Sequence, residues 1–523
     1  MGKTKKRKQT PKNIKLSLPK QSTPQSANFY VQEDFEPDRS GFCLAKQQRF
    51  SQSLLWELQR DYFNRRGIDA WRTGEVPHYI TSNPTIANSY AEIVLACWQD
   101  QNHLVSSKQP FFICELGAGS GRFAFHFLTR LTHLCQQARI PLSNFRYILT
   151  DFAPSNLQQW SQHPRFQAWF KQGVLDIALF DINHSDQLTL QYSGDILSAQ
   201  TLQRPLVAIA NYFFDSIPQD LYYINGNKIQ ECLVSLYSDV DPQSLNASEL
   251  LQHLHLYYDY QTTAPSELAP QFRSLFTHYQ NTLTNTHLIF PSAGLMCLQR
   301  LQNLSQQGLL LLSADKGYAD LGHLQGNAPP QPIQHHGCFS LSVNYPILQD
   351  FCEQNGGIAL MPAVKHNSIC VVCLIMCDGA SRYLETQGAY NRHVQTFGPD
   401  DFFTITKHAR QTIDQMNLEA ILAYLRLSYY DSHQFARYIP RLMELAPSFT
   451  AQEKVAIAEA IEQVWHLYFP LGEDRDLANL IAKLCYKIKE YAQALTYFQY
   501  STDMYGEDSE TSNYIALCKQ FLD

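Results

Sequence analysis

Long apolar runs are what this sequence most clearly lacks. Within its 523 residues no hydrophobic segment is long enough to cross a bilayer, and the N-terminal region has no apolar core of a signal peptide. Lys6 stands where a myristoylation signal requires serine or threonine. We therefore expect a cytoplasmic protein with no membrane partner.

The chain also lacks an overall excess of positive charge. Its formal net charge is −7, so no nucleic-acid partner is expected. The first twenty residues are an exception, because they hold eight lysines and arginines and no acid. Such a segment cannot bury enough apolar surface to fold, and residues 1–28 are predicted to be a disordered basic tail. Whether this tail is merely solvated, touches RNA or a membrane, or acts as a targeting signal stays open.

Spacing typical of metal ligands is scarce. Among thirteen cysteines only Cys370 and Cys373 form a C-x-x-C pair, and they lie in an apolar run typical of a buried strand, where three-residue spacing points two side chains to opposite faces. The pair His335-His336 has no acid nearby. We predict no metal, and interpret the cysteines as small buried hydrophobes in a reducing compartment.

Apolar strands alternate with amphipathic helices in the middle of the chain. The clearest helix, Arg122–Ala138, has apolar residues at three- and four-residue spacing. Continuous apolar strands separated by helices indicate a parallel sheet with right-handed crossovers, so the fold class is α/β and Rossmann-like. Four strands are predicted at 111–114, 145–150, 173–180 and 205–210, and four more at 221–224, 231–236, 309–314 and 369–376.

The length of the chain predicts two or three domains. Behind the tail we expect an N-terminal helical extension over 29–105 and an α/β domain over 106–395 with a mainly helical insertion at about 241–295. Beyond about 395 the strand patterns stop, and 396–523 is predicted to be a separate helical domain.

A glycine-rich turn follows the first predicted strand. Gly117, Gly119 and Gly121 have the spacing G-x-G-x-G, and bulky Arg122 occupies the place where a dinucleotide-binding fingerprint needs its third glycine. Glu115 precedes the turn, where a carboxylate suits an ammonium group better than a pyrophosphate. These features favour S-adenosyl-L-methionine as cofactor. A nicotinamide cofactor and a purely structural turn are the alternatives.

Two further acids are candidates for cofactor binding. Asp151 ends the second predicted strand, where an acid can bind both ribose hydroxyls. Asp176 lies in or near the end of the third predicted strand and could accept a hydrogen bond from the adenine amino group. A surface carboxylate or helix cap is the alternative interpretation of Asp176.

The fourth predicted strand runs into the sequence N-Y-F-F-D-S-I-P at residues 211–218. This segment resembles the N-E-F-F-D-A-L-P motif of the MidA family, which includes the mitochondrial complex I assembly methyltransferases. The sequences E-L-G-A-G-S-G at 115–121 and H-Y-I-T-S at 78–82 are similar to further motifs of that family, as is Glu231 to an acid that follows a hairpin. The resemblance spans about residues 75–380. Tyr212 departs from it, because it stands in the place of the family acid.

The resemblance implies a class I methyltransferase fold, S-adenosyl-L-methionine as cofactor with Thr81 near it, and, for characterised members, methylation of a protein arginine. Asn211 and Asp215 would orient the acceptor, and Asp215 or Glu231 would take a proton. Loss of an acid at Tyr212 weakens the case for arginine, since a guanidinium requires carboxylates. In the structural alternative, Asn211 ties the turn and Asp215 caps the next helix.

The C-terminal part resembles a tetratricopeptide repeat over 478–503, with Ala482 and Ala494 at close helix contacts and Phe498 as the large packing residue. A generic helical bundle is the alternative, and either would offer a protein partner a surface.

We therefore predict a methyltransferase that acts on a protein side chain. The alternatives are a degenerate, cofactor-binding scaffold that recruits a partner, and a small-molecule methyltransferase with the 241–295 insertion as its lid.

Overall fold

A seven-stranded sheet forms the centre of the computed structural model, which describes residues 41–104, 107–184, 186–226, 228–263, 269–363 and 368–523. The predicted basic tail lies outside the described residues. The order across the sheet is β6-β7-β5-β4-β1-β2-β3; β1 to β5 are parallel, and β7 is antiparallel to both of its neighbours. The strands are β1 Phe111–Glu115, β2 Phe145–Asp151, β3 Leu175–Leu179, β4 Leu206–Asn211, β5 Gly308–Asp315, β6 Ile358–Leu360 and β7 Cys370–Cys377.

Helices cover both faces of this sheet, which explains why its strands are continuous apolar runs instead of alternating ones. One face packs against the helices Pro84–Leu104 and Arg122–Ala138, and the other against the helices Ser292–Asn303 and Tyr345–Gln354. This three-layer α/β arrangement confirms the predicted Rossmann-like fold class. The first six helices are α1 Leu54–Arg66, α2 Asp69–Arg72, α3 Tyr79–Ser82, α4 Pro84–Leu104, α5 Arg122–Ala138 and α6 Pro154–Gln162.

A second, antiparallel sheet of five strands corrects two expectations. Its strands are Phe42–Arg49, Asp220–Asn225, Lys228–Ser238, Leu254–Thr262 and Thr286–Phe290. The first lies in the segment predicted to be mostly helical, and the last two lie in the insertion predicted to be mainly helical.

The physical reason differs between these strands. Leu254–Thr262 holds three tyrosines, a residue type that favours strands, and it pairs along its whole length with Lys228–Ser238. Phe42–Arg49 is largely exposed and has little apolar alternation of its own. Its conformation is set by hydrogen bonding to Lys228–Ser238, about 185 residues further along the chain.

The C-terminal part is helical, as predicted, and has its own apolar core. Ala482, Ala494 and Phe498 are fully buried there, at the contacts between successive helices. Assignment of this region to the tetratricopeptide repeats stays a prediction, as do the domain boundaries. The longer helices are Pro399–Ala409, Leu418–Leu427, Ser432–Leu445, Ala451–His466, Leu477–Lys487, Tyr491–Tyr505 and Ser509–Leu522.

None of the helices in the described part of the chain combines the length and the apolar character needed to cross a membrane.

Candidate active site

A cavity of about 210 Å³ lies at the carboxyl edge of the central sheet. In open α/β sheets this edge is where ligands bind. Seven of the ten residues predicted for the site line the cavity: Thr81, Glu115, Gly117, Gly119, Asp151, Asn211 and Asp215.

The glycine turn between β1 and α5 forms one wall of the cavity. Gly117, Gly119 and Gly121 all have positive φ, from 53° to 74°, a region that favours glycine. A Cβ atom at Gly119 would lie 2.7 Å from a ring carbon of Trp71, so this position has no room for any side chain. Gly121 does not line the cavity; it starts α5 where a Cβ would press against Trp160 at 3.1 Å. The turn therefore leaves its backbone open to a ligand.

Glu115 is a buried carboxyl at the base of this turn. Its Oε2 accepts a hydrogen bond from the hydroxyl of Tyr147 at 2.8 Å. Burial raises the pKa of Glu115 to about 8, more than this one hydrogen bond offsets. A cationic amino group bound beside it would stabilise the charged carboxylate. Glu115 at the base of the glycine turn thus fits the amino group of S-adenosyl-L-methionine.

Asp151 connects the end of β2 to the glycine turn. Its Oδ2 accepts hydrogen bonds from the Gly119 N–H at 3.2 Å and the Asn156 side chain at 3.0 Å, and its Oδ1 accepts one from the Ala153 N–H at 3.0 Å. Burial raises its pKa, although these donors oppose the shift. Asp151 therefore shapes the turn, and its position in the cavity wall is compatible with the predicted contact to ribose.

Asn211 ends β4 and ties two elements of the wall together. Its Oδ1 accepts a hydrogen bond from the Tyr90 hydroxyl at 3.0 Å, and its Nδ2 donates one to the Thr81 carbonyl at 3.3 Å. The side-chain amide of Asn211 thus ties neighbouring segments together, as in the structural alternative. Asn211 also lies in the cavity wall.

Asp215 lies in the cavity wall after β4, and its carboxyl interacts electrostatically with a second buried carboxyl, that of Asp315. Burial raises the pKa of both groups, and that of Asp315 is raised further by the charge of Asp215. Asp215 does not cap a helix, because the residues after it lead into the strand Asp220–Asn225.

Tyr212 takes an unusual backbone conformation at this turn. Its φ is 48°, in the left-handed region, which a bulky residue rarely adopts. The turn is held by Asp315, whose Oδ2 accepts hydrogen bonds from the N–H groups of Phe213 and Phe214 at 3.2 Å each. Asp315 therefore positions the segment that carries Asp215.

Sequence reasoning missed Asp315, although a signal was available. It ends β5, and β5 lies beside β4 with Ala314 opposite Asn211. Acids that follow neighbouring parallel strands meet at the same sheet edge. Trp71 and Arg60, which also line the cavity, gave no signal in the sequence because the segment that carries them is placed by tertiary contacts.

Besides Gly121, two predicted residues, Asp176 and Glu231, lie outside the cavity lining, which does not fit their expected roles. Asp176 is the second residue of β3 and is buried; its carboxylate accepts hydrogen bonds from the N–H groups of Tyr192 and Ser193 at 2.9 and 3.0 Å. Glu231 lies in the second sheet and forms an ion pair with Arg49, with Nε and Oε1 2.5 Å apart. Asp176 lies near the start of its strand and Glu231 belongs to the other sheet, so neither residue is at the carboxyl edge of the central sheet.

Comparison with known proteins supports the cofactor that this geometry fits. Residues 90–343, just under half of the chain, match a family described as "Putative S-adenosyl-L-methionine-dependent methyltransferase". No curated protein matches.

Two solved structures from Burkholderia thailandensis show a distant similarity. One is a COG1565 superfamily member bound to S-adenosyl-homocysteine; it is 13% identical, with a TM-score of 0.41, and the match covers 65% of this chain and 90% of that one. The other is a native structure of a protein of the same superfamily; it is 12% identical, with a TM-score of 0.38, and the match covers 64% and 94%. At these TM-scores no site geometry is transferred from either structure.

The family match agrees with the glycine turn, the buried Glu115 and the position of Asp151 at the sheet edge. The part of the chain that carries the cavity is therefore similar to a family of S-adenosyl-L-methionine-dependent methyltransferases, and its residues fit that cofactor.

Proposed function

We propose that the protein transfers a methyl group from S-adenosyl-L-methionine to a side chain of a protein, with Asp215 as the group that orients the acceptor and receives its proton. The observation that carries this proposal is the carboxyl pair of Asp215 and Asp315 in the wall of the cofactor cavity.

The cofactor end of the cavity is assigned from its acids and from the backbone of the glycine turn. Glu115 would hold the amino group, the backbone of the turn at Gly117 and Gly119 would contact the amino acid end, and Asp151 would contact the ribose. When bound, the cofactor supplies an electrophilic methyl carbon on a sulfonium. Because the transfer is an in-line displacement, the main tasks of the protein are alignment and exclusion of water.

At the acceptor end, Asp215 would accept a hydrogen bond from the nucleophile and then its proton. The new bond forms between the nucleophile and the methyl carbon, while the electron pair of the broken bond stays on sulfur. Burial raises the pKa of Asp215, and the nearby charge of Lys316 opposes this shift. A base whose pKa is raised by burial accepts a proton more readily than a solvated carboxylate does.

Arginine is one candidate acceptor. Within the described cavity wall, the acceptor side offers a guanidinium only Asp215, because Tyr212 stands in the acid's place and Glu231 is paired with Arg49. A lysine amine or a hydroxyl group would require one carboxylate and suits this wall equally well.

The small-molecule alternative is less well supported. It relied on the 241–295 segment as a lid, but among the described residues none of that segment lines the cavity. Its strands belong to the second sheet. The scaffold alternative rests on Tyr212, and a measurement of turnover decides it.

The test uses the substitution Asp215→Asn, which preserves shape and removes the base. Purified protein is incubated with cell extract and S-adenosyl-L-methionine labelled on its methyl group, and labelled proteins are separated and counted. We expect the rate of labelling to fall about 100-fold or more, as for loss of a general base, while the Kd for the cofactor changes less than threefold. Asp220→Asn is the matched control, since Asp220 is a buried acid outside the cofactor cavity; it should label at the wild-type rate.

Labelling that survives in Asp215→Asn would refute the assigned role of Asp215. Absence of labelling by wild-type protein that binds the cofactor would instead favour the scaffold.

A further inference from the structure

The C-terminal helical region packs directly on the wall of the cofactor cavity. The contacts involve α3 and the residue before it, His78. This short segment lies between the cavity on one side, where His78, Thr81 and Ser82 form part of the lining, and the C-terminal helices on the other.

Tyr79 makes the first of two polar connections. Its hydroxyl donates a hydrogen bond to Oδ2 of Asp431 at 2.7 Å and accepts one from the Gln434 side chain at 2.6 Å. Asp431 and Gln434 are buried, with 3% and 1% of their surface exposed. Asp431 also caps the helix Ser432–Leu445 through the His433 N–H. Hydrogen bonds to two buried side chains fix the position of α3 against that helix.

Arg122 makes the second connection, at the start of α5. Its guanidinium forms an ion pair with Glu473 and donates a hydrogen bond to Nε2 of His78 at 3.2 Å. Burial and the charge of Arg122 lower the pKa of His78 to about 4, so the ring is neutral at physiological pH. With Nε2 accepting from Arg122, Nδ1 carries the hydrogen and donates to the Val76 carbonyl at 3.1 Å.

Apolar contacts continue this interface. Phe469, from the C-terminal region, is 2% exposed and belongs to the core cluster of the α/β domain. Its ring stacks on His163, with centroids 3.9 Å apart, and the Nε2 of His163 contacts the Pro470 carbonyl at 2.9 Å. The interface therefore reaches the helix that begins directly after the glycine turn, because Phe125 of α5 also packs on Phe469.

We infer that Tyr79, Asp431, Arg122 and Glu473 are positioning residues for the cofactor, through which the C-terminal helices hold the 78–82 segment in its binding conformation. The inference rests on the cavity being the S-adenosyl-L-methionine site. Because coupling between two sites is reciprocal, the cofactor in turn stabilises the docked C-terminal helices.

The test measures the Kd of S-adenosyl-homocysteine by calorimetry on the full chain and its variants. Tyr79→Phe removes the hydroxyl without touching the cavity, and we expect Kd to rise about tenfold. Tyr279→Phe is a matched control, since its hydroxyl also donates to a carboxylate, that of Asp350 at 2.7 Å, and lies away from the cavity. In the control Kd should change less than twofold.

A second measurement distinguishes positioning of the cofactor from a general effect on the stability of the fold. Addition of S-adenosyl-homocysteine to the wild-type protein should slow hydrogen exchange in Ser432–Leu445, and this protection should be lost in Tyr79→Phe. Glu473→Gln gives the same test at the other connection if Tyr79→Phe does not fold, again with an expected rise in Kd of about tenfold.

An unchanged Kd in folded Tyr79→Phe and Glu473→Gln would overturn the inference, and so would an equal rise in Tyr279→Phe. No binding by the wild-type protein would overturn the site assignment itself.

Discussion

Glu115 shows how one buried residue prepares the cavity for a cation. The carboxyl has a single hydrogen-bond donor in Tyr147, so burial favours its protonated form in the free protein. Binding of an ammonium group would reverse this preference and release a proton. The affinity for S-adenosyl-L-methionine should therefore depend on pH near neutrality.

This residue also predicts how stability depends on pH. The pKa of Glu115 is about 8 in the folded chain, against an ordinary value of 4.5, so its contribution to the free energy of unfolding is complete below about pH 4.5 and is lost as the pH rises to about 8. The slope is at most about 1.4 kcal/mol per pH unit. Relative to wild type, Glu115→Gln should thus become progressively more stable between pH 5 and 8 while losing affinity for the cofactor. Urea unfolding at several pH values checks this.

Glu57→Gln, at an exposed position of α1, is the control, and its free energy of unfolding should follow the wild type at every pH. Parallel curves for Glu115→Gln and wild type would show that Glu115 is ionised in the free protein.

At the same scale, the sequence predicts residues at strand ends well and residues within strands poorly. Glu115, Asp151, Asn211 and Asp215 follow or end strands of the central sheet, and all reach the cavity. The position of Asp176 in its strand depends on boundaries that are uncertain by a few residues, and two or three residues of error move a side chain away from the sheet edge.

At the scale of elements, α3 depends on Asn83 for its place. The Nδ2 of Asn83 donates hydrogen bonds to the carbonyls of Tyr79 and Ile80, and its Oδ1 accepts from the N–H groups of Thr85 and Ile86 at the start of α4. One buried side chain thus joins the end of the cavity segment to the helix that covers the sheet.

Asn83→Ala should therefore lower the free energy of unfolding by about 1 to 2 kcal/mol, the usual range for loss of a helix cap, and also raise the Kd for S-adenosyl-L-methionine. Asn417→Ala removes the cap of Leu418–Leu427, in the C-terminal region, through loss of a bond to the Ala420 N–H at 2.9 Å. It should cost similar stability without a change in Kd. If both variants bind the cofactor like wild type, α3 does not set affinity.

The elements that the sequence predicts are those whose own residues determine them. The strands β1 to β4 and the helix Arg122–Ala138 lie within one or two residues of the positions that their apolar residues predict. Strand Phe42–Arg49 has no such pattern and is stabilised by a partner far along the chain. Local periodicity carries no information about such a partner.

In the molecule as a whole, the C-terminal helices pack against the 78–82 segment, which is part of the wall of the cofactor cavity. The sequence predicts a helical region that offers a surface to a partner, and that role stays a prediction. Contacts such as Tyr79 with Asp431, separated by 352 residues, depend on tertiary packing that sequence patterns do not contain. A surface for an outside partner, if present, would have to coexist with this internal interface.

Calorimetry on the purified full chain, with S-adenosyl-L-methionine and with NAD as the comparison ligand, tests the identity of the cofactor directly. Gly119→Arg is the disabling variant, because a side chain there meets Trp71, and Gly194→Arg is its control, at a positive-φ glycine with open space around it. We expect the wild type and Gly194→Arg to bind the methyl donor and not NAD, and folded Gly119→Arg not to bind the methyl donor. A folded wild-type protein that binds NAD, or that does not bind S-adenosyl-L-methionine, would refute the assignment of the cavity to this cofactor.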